Sequence, residues 1–178
     1  MATTKWVVDP AHSEVQFKVK HLMITTVTGY FRKFNVEVET EDEDFTKASK
    51  ILFTADVDSI DTNNEQRDTH LKSPDFFDAS THDEVKFEGK GFEKLSENEY
   101  NLDGELTIRG TTKPVTVNVE YGGIVVDPYN QTKAGFTVTG KINRKDFGLT
   151  WSAVTEAGSV VVSDEIKLNA EIQLVKQA

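Results

Sequence analysis

The sequence predicts an all-β protein: an antiparallel eight-stranded barrel with a short helical insertion between strands three and four. Three observations carry this. Apolar and polar residues alternate at period two in run after run, as half-buried strands require. The runs are joined by turn-forming stretches such as Gly110-Thr111-Thr112-Lys113-Pro114 and Asp127-Pro128-Tyr129-Asn130. One segment, from Ser59 to Phe77, breaks the alternation. A two-sheet sandwich satisfies the same pattern. The barrel is favoured because closure removes the sheet edges, and roughly eight strands enclose room for one small ligand.

In chain order, Val15, Phe17 and Val19 form the first run, and His21 continues their inward phase. Phe34, Val36 and Val38 follow, after Gly29 has allowed a bend. The acidic run Thr40 to Asp44 reads as a solvated loop. Ile51, Phe53, Ala55 and Val57 make the third strand, and Val85 with Phe87 the fourth, ending near Gly89 and Gly91. Tyr100, Leu102, Gly104, Leu106 and Ile108 line one face of the fifth; Val115, Val117, Val119 and Tyr121 carry the sixth. Ala134, Phe136, Val138, Gly140 and Ile142 form the seventh, with Arg144 in the same phase. Ile166, Leu168, Ala170, Ile172 and Leu174 complete the eighth, after a loop that contains Trp151. Small inward residues (Ala55, Gly104, Ala134, Gly140, Ala170) stand among Phe17, Phe53 and Phe136, which predicts unfilled space inside.

The insertion has its own signals. Thr62 and Glu65 have the spacing of a capping box, which predicts a helix beginning at Asn63. Arg67, His70 and Leu71 then share one face. Ser73-Pro74 reads as a second N-cap that carries Phe76 and Phe77 into an apolar site. A basic, aromatic helix in a strand-rich chain suggests a lid.

With 178 residues the expectation is one domain, 1–178. A formal charge of −10 argues against nucleic acid and anionic membrane surfaces as partners. The absence of cysteine excludes disulfides, a thiolate zinc site and a cysteine nucleophile. No stretch reads as a signal peptide or a membrane span, so a soluble cytoplasmic protein is expected. The motifs G-x-S-x-G, H-E-x-x-H, G-x-G-x-x-G and the Walker loop are missing, and the chain reads as a non-enzyme without cofactor. His12, His21 and His70 lack the close spacing of a metal motif.

Four ordered blocks resemble the YceI-like family. Asp9-Pro10-Ala11-His12-Ser13, Phe17-Lys18-Val19-Lys20-His21-Leu22 and Gly29-Tyr30-Phe31 look like its opening. Ser59-Ile60-Asp61-Thr62, Arg67-Asp68-Thr69-His70-Leu71 and Asp75-Phe76-Phe77 resemble its central block. Gly104 to Gly110 with Lys113-Pro114-Val115, and Asn143 to Gly148, match the remaining two. The resemblance runs from about Trp6 to the C-terminus. It implies a lipocalin-like barrel whose lumen binds, stores or transports an isoprenoid or fatty amphiphile, with a stress link and a homodimer as further expectations. Many members carry a secretion signal, which this opening does not show.

Candidate ligand-binding residues follow. Phe17, Phe31, Phe76, Phe136 and Val138 would line the lumen, with Trp151 at its mouth; ordinary core packing is the simpler reading for most of the aromatics. Arg144 would meet an anionic head group, or else form an internal salt bridge to Asp68 or Asp146, or lie exposed at the strand end, because a buried unpaired guanidinium is very costly. Arg67 and His70 would close over a head group or hold the insertion to the barrel rim. His21 would face the lumen or be a satisfied core histidine. Two alternatives remain: an enzyme using His70 or His21 beside Asp61 or Asp68, and a fully packed barrel that makes protein contacts on its outside.

Overall fold

The computed structural model describes residues 3–151 and 162–177. In chain order its elements are β1 (Thr3–Val8), β2 (Glu14–His21), β3 (Thr25–Phe31), β4 (Phe34–Glu41), β5 (Asp44–Asp56), β6 (Ile60–Asp61), α1 (Glu65–Lys72), β7 (Glu84–Lys94), β8 (Glu99–Ile108), β9 (Thr111–Val126), β10 (Thr132–Asn143) and β11 (Val162–Lys176). The strands β1-β4-β5-β7-β8-β9-β10-β11 form a closed antiparallel ring of eight, sealed by the pairing of β1 with β11.

Eleven strands among the described residues fill eight positions because one edge of β11 is shared. Near its C-terminal end Leu174, Val175 and Lys176 pair with Val8, Val7 and Trp6 of β1. Further up, residues from Val162 to Glu171 pair with β2. The 3-10 turn Pro10–His12 joins β1 to β2, so the two follow one another along the same stave. β4 pairs with β1 while β3 pairs with β2, and β6 continues the stave of β5 by pairing with β3. The expected eight-stranded barrel and its helical insertion are both present. Of the ring strands, β1 was not anticipated, and β2 was taken in its place.

Burial alternates most plainly on β8, where Leu102, Gly104, Leu106 and Ile108 are buried between exposed Asp103 and Glu105. Of the small inward residues, Gly104 does not leave the space expected of it. A Cβ on Gly104 would lie 2.4 Å from Phe87 Cζ and 2.5 Å from the Glu88 carbonyl oxygen, and one on Gly29 would lie 2.2 Å from Phe17 Cζ. Aromatic rings from neighbouring strands therefore already lie across these glycines. The interior space has another origin, the girth of the ring itself.

The corner between β1 and β2 is pinned electrostatically. Asp9 accepts hydrogen bonds from the Ala11 N–H (3.1 Å) and from Lys133 Nζ on β10 (2.7 Å), and lies 2.8 Å from His12 Nδ1. Lys133 Nζ also lies 3.4 Å from Asp127. The Lys133 ammonium, then His12, hold the Asp9 carboxyl well below the usual carboxylate range, at about 2.

Two predictions come from this. A carboxylate with a depressed folded pKa adds stability above its unfolded pKa and loses it as pH falls through the folded one. The stability difference between the wild type and Asp9→Asn, measured by urea denaturation, should thus be full above about pH 5 and vanish between about pH 4 and about pH 2. Gly104→Ala should destabilise by about 1–3 kcal/mol through overpacking, whereas Gly91→Ala, with open space around the added methyl group, should be close to neutral. Guanidinium midpoints check the pair.

Candidate functional site: an apolar lumen

The barrel encloses a cavity of about 260 Å³. Of the described residues lining it, only Gln16, Arg144 and Asn169 are polar. At the α1 end the wall is made by Phe31, Leu71, Phe76, Phe77 and Leu149, which belong to one buried cluster. At the other end Phe45, Phe136, Ile172 and Leu174 belong to a second cluster around Trp6. Trp6 is 1% exposed, and its Nε1–H donates to Thr40 Oγ1 at 3.0 Å, so the polar edge of the indole is satisfied inside the cluster.

The insertion closes one end, and it is built differently from expectation. Asn63 has φ +64, a left-handed conformation that asparagine tolerates but that cannot start a helix. The helix therefore begins at Glu65, with Asn64 Oδ1 accepting from the Arg67 N–H at 2.9 Å as the N-cap. Thr62, 3% exposed, becomes a hub rather than a cap. Asp68 Oδ1 accepts from its N–H at 2.9 Å and from its hydroxyl, while Arg67 donates to its Oγ1 at 2.8 Å and to its carbonyl oxygen. Ser73 is the C-cap of α1, and no second helix follows; Pro74 to Phe77 form a turn that delivers Phe76 and Phe77 to the lumen. Arg109 holds that turn by donating to the Phe76 carbonyl at 3.0 Å and the Gly148 carbonyl at 3.3 Å.

Arg144 is 2% exposed and is consumed by backbone. Its Nε–H donates to the Ser163 carbonyl at 3.0 Å, and Nη1 donates to the carbonyls of Leu149 and Trp151, both at 2.6 Å. Nη2 reaches the Val162 carbonyl at 3.5 Å and stands 3.7 Å from Asp164 Oδ1. Burial lowers its pKa from the ordinary guanidinium value, opposed by the Asp164 charge. The side chain thus clasps the two chain segments that flank residues 152–161. Its acidic partner is Asp164, not the expected Asp68 or Asp146.

Phe17, Phe31, Phe76, Phe136, Val138 and Arg144 line the cavity together. Four candidates do not. His21 is exposed at the end of β2, because the pairing of β11 opposite shifts register between Val162 and Ile166 and the wall ends there. Arg67 is exposed and committed to Thr62. His70 and Trp151 sit behind the wall, packed on the lining ring of Phe76 at centroid distances of 5.1 and 5.3 Å and on each other at 5.0 Å. His70 Nε2 also lies 2.8 Å from Asp75 Oδ2. Among the described residues no three acidic or histidine side chains gather to hold a metal ion. Sequence reasoning missed Thr62, Asp68 and Arg109 as the lid's fasteners and Phe45 as part of the wall. For Phe45 the one available signal was an aromatic directly after the acidic run.

An eight-stranded antiparallel barrel around an apolar lumen, closed at one end by a helical insertion, defines a lipocalin-like class of protein. Within that class the chain belongs to the YceI-like domain family, which matches residues 6–174. It is 39% identical over 171 residues to a UPF0312 protein of Staphylococcus epidermidis, covering 96% of each chain. The crystal structure of the Campylobacter jejuni YCEI protein superposes with TM-score 0.76 at 32% identity, covering 96% of this chain and 97% of that one. A polyisoprenoid binding domain from Saccharophagus degradans shares the fold, with TM-score 0.67 at 13% identity over 97% of this chain and 98% of that one.

Replacing Arg144 by methionine, which leaves its carbonyl partners without donors, should cost about 3 kcal/mol in urea denaturation. Lys145→Ala, on the exposed side of the same turn, should change stability by under about 0.5 kcal/mol.

Proposed function

We propose that this protein binds a long-chain isoprenoid or a similar amphiphilic lipid with its tail in the barrel lumen, as a storage or transport module. The observation that carries this is the cavity of about 260 Å³ with three polar residues among the described residues of its lining. Such a surface is almost wholly hydrocarbon, with Asn169 Oδ1 the one buried side-chain polar atom left without a partner among the described residues, and it offers a sugar, nucleotide or peptide almost nothing to hydrogen-bond. Family membership supports the reading, as does the description of the Saccharophagus neighbour as polyisoprenoid binding. An open lumen is also the feature that a barrel serving only as an interaction surface would not need.

The test is native mass spectrometry of protein purified without detergent, followed by titration with isoprenols and fatty acids. Wild-type protein should retain lipid. Val138→Trp, whose indole would occupy the lumen from β10, should reduce retention at least tenfold while the far-ultraviolet circular dichroism stays that of a barrel. A folded Val138→Trp protein that retained lipid as well as wild type would place the ligand outside the barrel and overturn the reading.

A further inference from the structure

A second, smaller cavity of about 100 Å³ lies beyond the lumen, at the end where the β4–β5 hairpin turns. The two cavities share four lining residues, Phe45, Phe92, Val119 and Phe136. They are neighbouring chambers with a common partition.

The partition is aromatic and tightly built. The Phe45 ring packs on Trp6 at a centroid distance of 4.8 Å and on Phe136 at 4.9 Å, and Tyr121 packs on Phe136 at 5.3 Å. Phe45 is the residue both chambers touch that stands immediately after the hairpin turn; it is 9% exposed although Asp44 and Thr46 beside it are exposed. The far chamber changes character. Its remaining lining includes Glu43, Asp44, Thr46 and the phenols Tyr100 and Tyr121. Burial raises the Tyr121 pKa, followed by the neighbouring Tyr100, Glu43 and Asp44, so this chamber is hostile to further negative charge. A hydrocarbon tail crossing the partition would have to displace a packed ring and then desolvate carboxylates and phenols.

We propose that Phe45, braced by Trp6 and Phe136, is the floor that fixes the greatest tail length the lumen accepts. This rests on the lipid-binding reading. The floor stops a tail twice over, sterically at the ring and chemically at the acidic chamber behind it. The expected specificity is therefore a ceiling on the length of the apolar chain, with little discrimination among shorter ones. Longer chains would have to fold back within the lumen or leave their excess in water.

The experiment offers the protein an equimolar mixture of polyprenols of graded length and reads the bound pool by mass spectrometry. Wild type should show a sharp upper length limit, and Phe45→Ala, which joins the two chambers, should raise that limit by at least one isoprene unit. If Phe45→Ala does not fold, Val38→Phe decides. Val38 lines the lumen in the same cluster as Phe45, and a larger side chain there should lower the limit. A folded variant with the wild-type limit overturns the floor while leaving lipid binding intact. Wild-type protein that retains neither a polyprenol nor a fatty acid of any length overturns the lipid reading, and this inference with it.

Discussion

An apolar lumen can stay unfilled only if the wall around it has no free edge, and here that closure rests on three residue pairs. Trp6, Val7 and Val8 of β1 meet Lys176, Val175 and Leu174 of β11. Without them the sheet would present β1 and β11 as open edges, each a template for pairing with another chain. Several buried features converge on this seam. Trp6 is almost wholly buried with its indole N–H satisfied, Leu174 is 2% exposed, and the Asp9 corner follows directly after Val8. The seam also explains why eleven strands make an eight-position ring. β11 is long enough to give its C-terminal end to β1 and the rest of the same edge to β2.

At the opposite end the wall is completed by side-chain chemistry instead of strand pairing. α1 has no fully buried residue of its own, and half-buried Leu71 is its one apolar side chain packed on the core, so apolar packing alone does not seat it. The rest of its seating is the pair of charges around Thr62, the Arg109 hydrogen bond to the Phe76 carbonyl, and the packing of His70 and Trp151 on Phe76. Arg144 does the same for the turn after β10. Buried charged groups persist when hydrogen bonds consume their donors, and carbonyl oxygens consume most of them here. The polar residues that a sequence reader would assign to a ligand are mostly occupied in holding the lid and rim.

This division accounts for what the sequence made legible. Strands β8, β10 and β11 are long, with one face in and one out, so period-two alternation identifies them and gives the inward phase of Phe136 and Val138 correctly. β3 carries Thr25, Thr26 and Thr28 with Gly29 around Val27, and β6 is two residues long; neither has an alternation to read. Phe45 was hidden because the acidic stretch before it looked like a loop, while β4 in fact runs to Glu41 and β5 starts at Asp44. Arg144 had the right phase, but it opens a 3-10 turn that folds its guanidinium back onto carbonyls. The capping box at Thr62 failed because one dihedral, at Asn63, decided where the helix could start. Phase is a property of the strand; the destination of a polar side chain depends on tertiary partners that no local pattern contains.

That destination bears on what would govern affinity for the proposed ligand. Burying about fifteen tail carbons at ~0.8 kcal/mol each amounts to about 12 kcal/mol gross, before the costs of ordering and association. A charged hydrogen bond to a head group adds about 1.5–3 kcal/mol net, and only where the cation is free to make it. Arg67, Arg109 and Arg144 each already donate to protein oxygens at this end of the barrel. For Arg144, whose Nε, Nη1 and Nη2 all reach backbone carbonyls, engaging a head group would mean breaking those bonds first, which removes most of the gain. Both the size of the tail contribution and the prior commitment of Arg144 point the same way: for a lipid ligand, discrimination would fall to the apolar wall and to how much chain it can enclose.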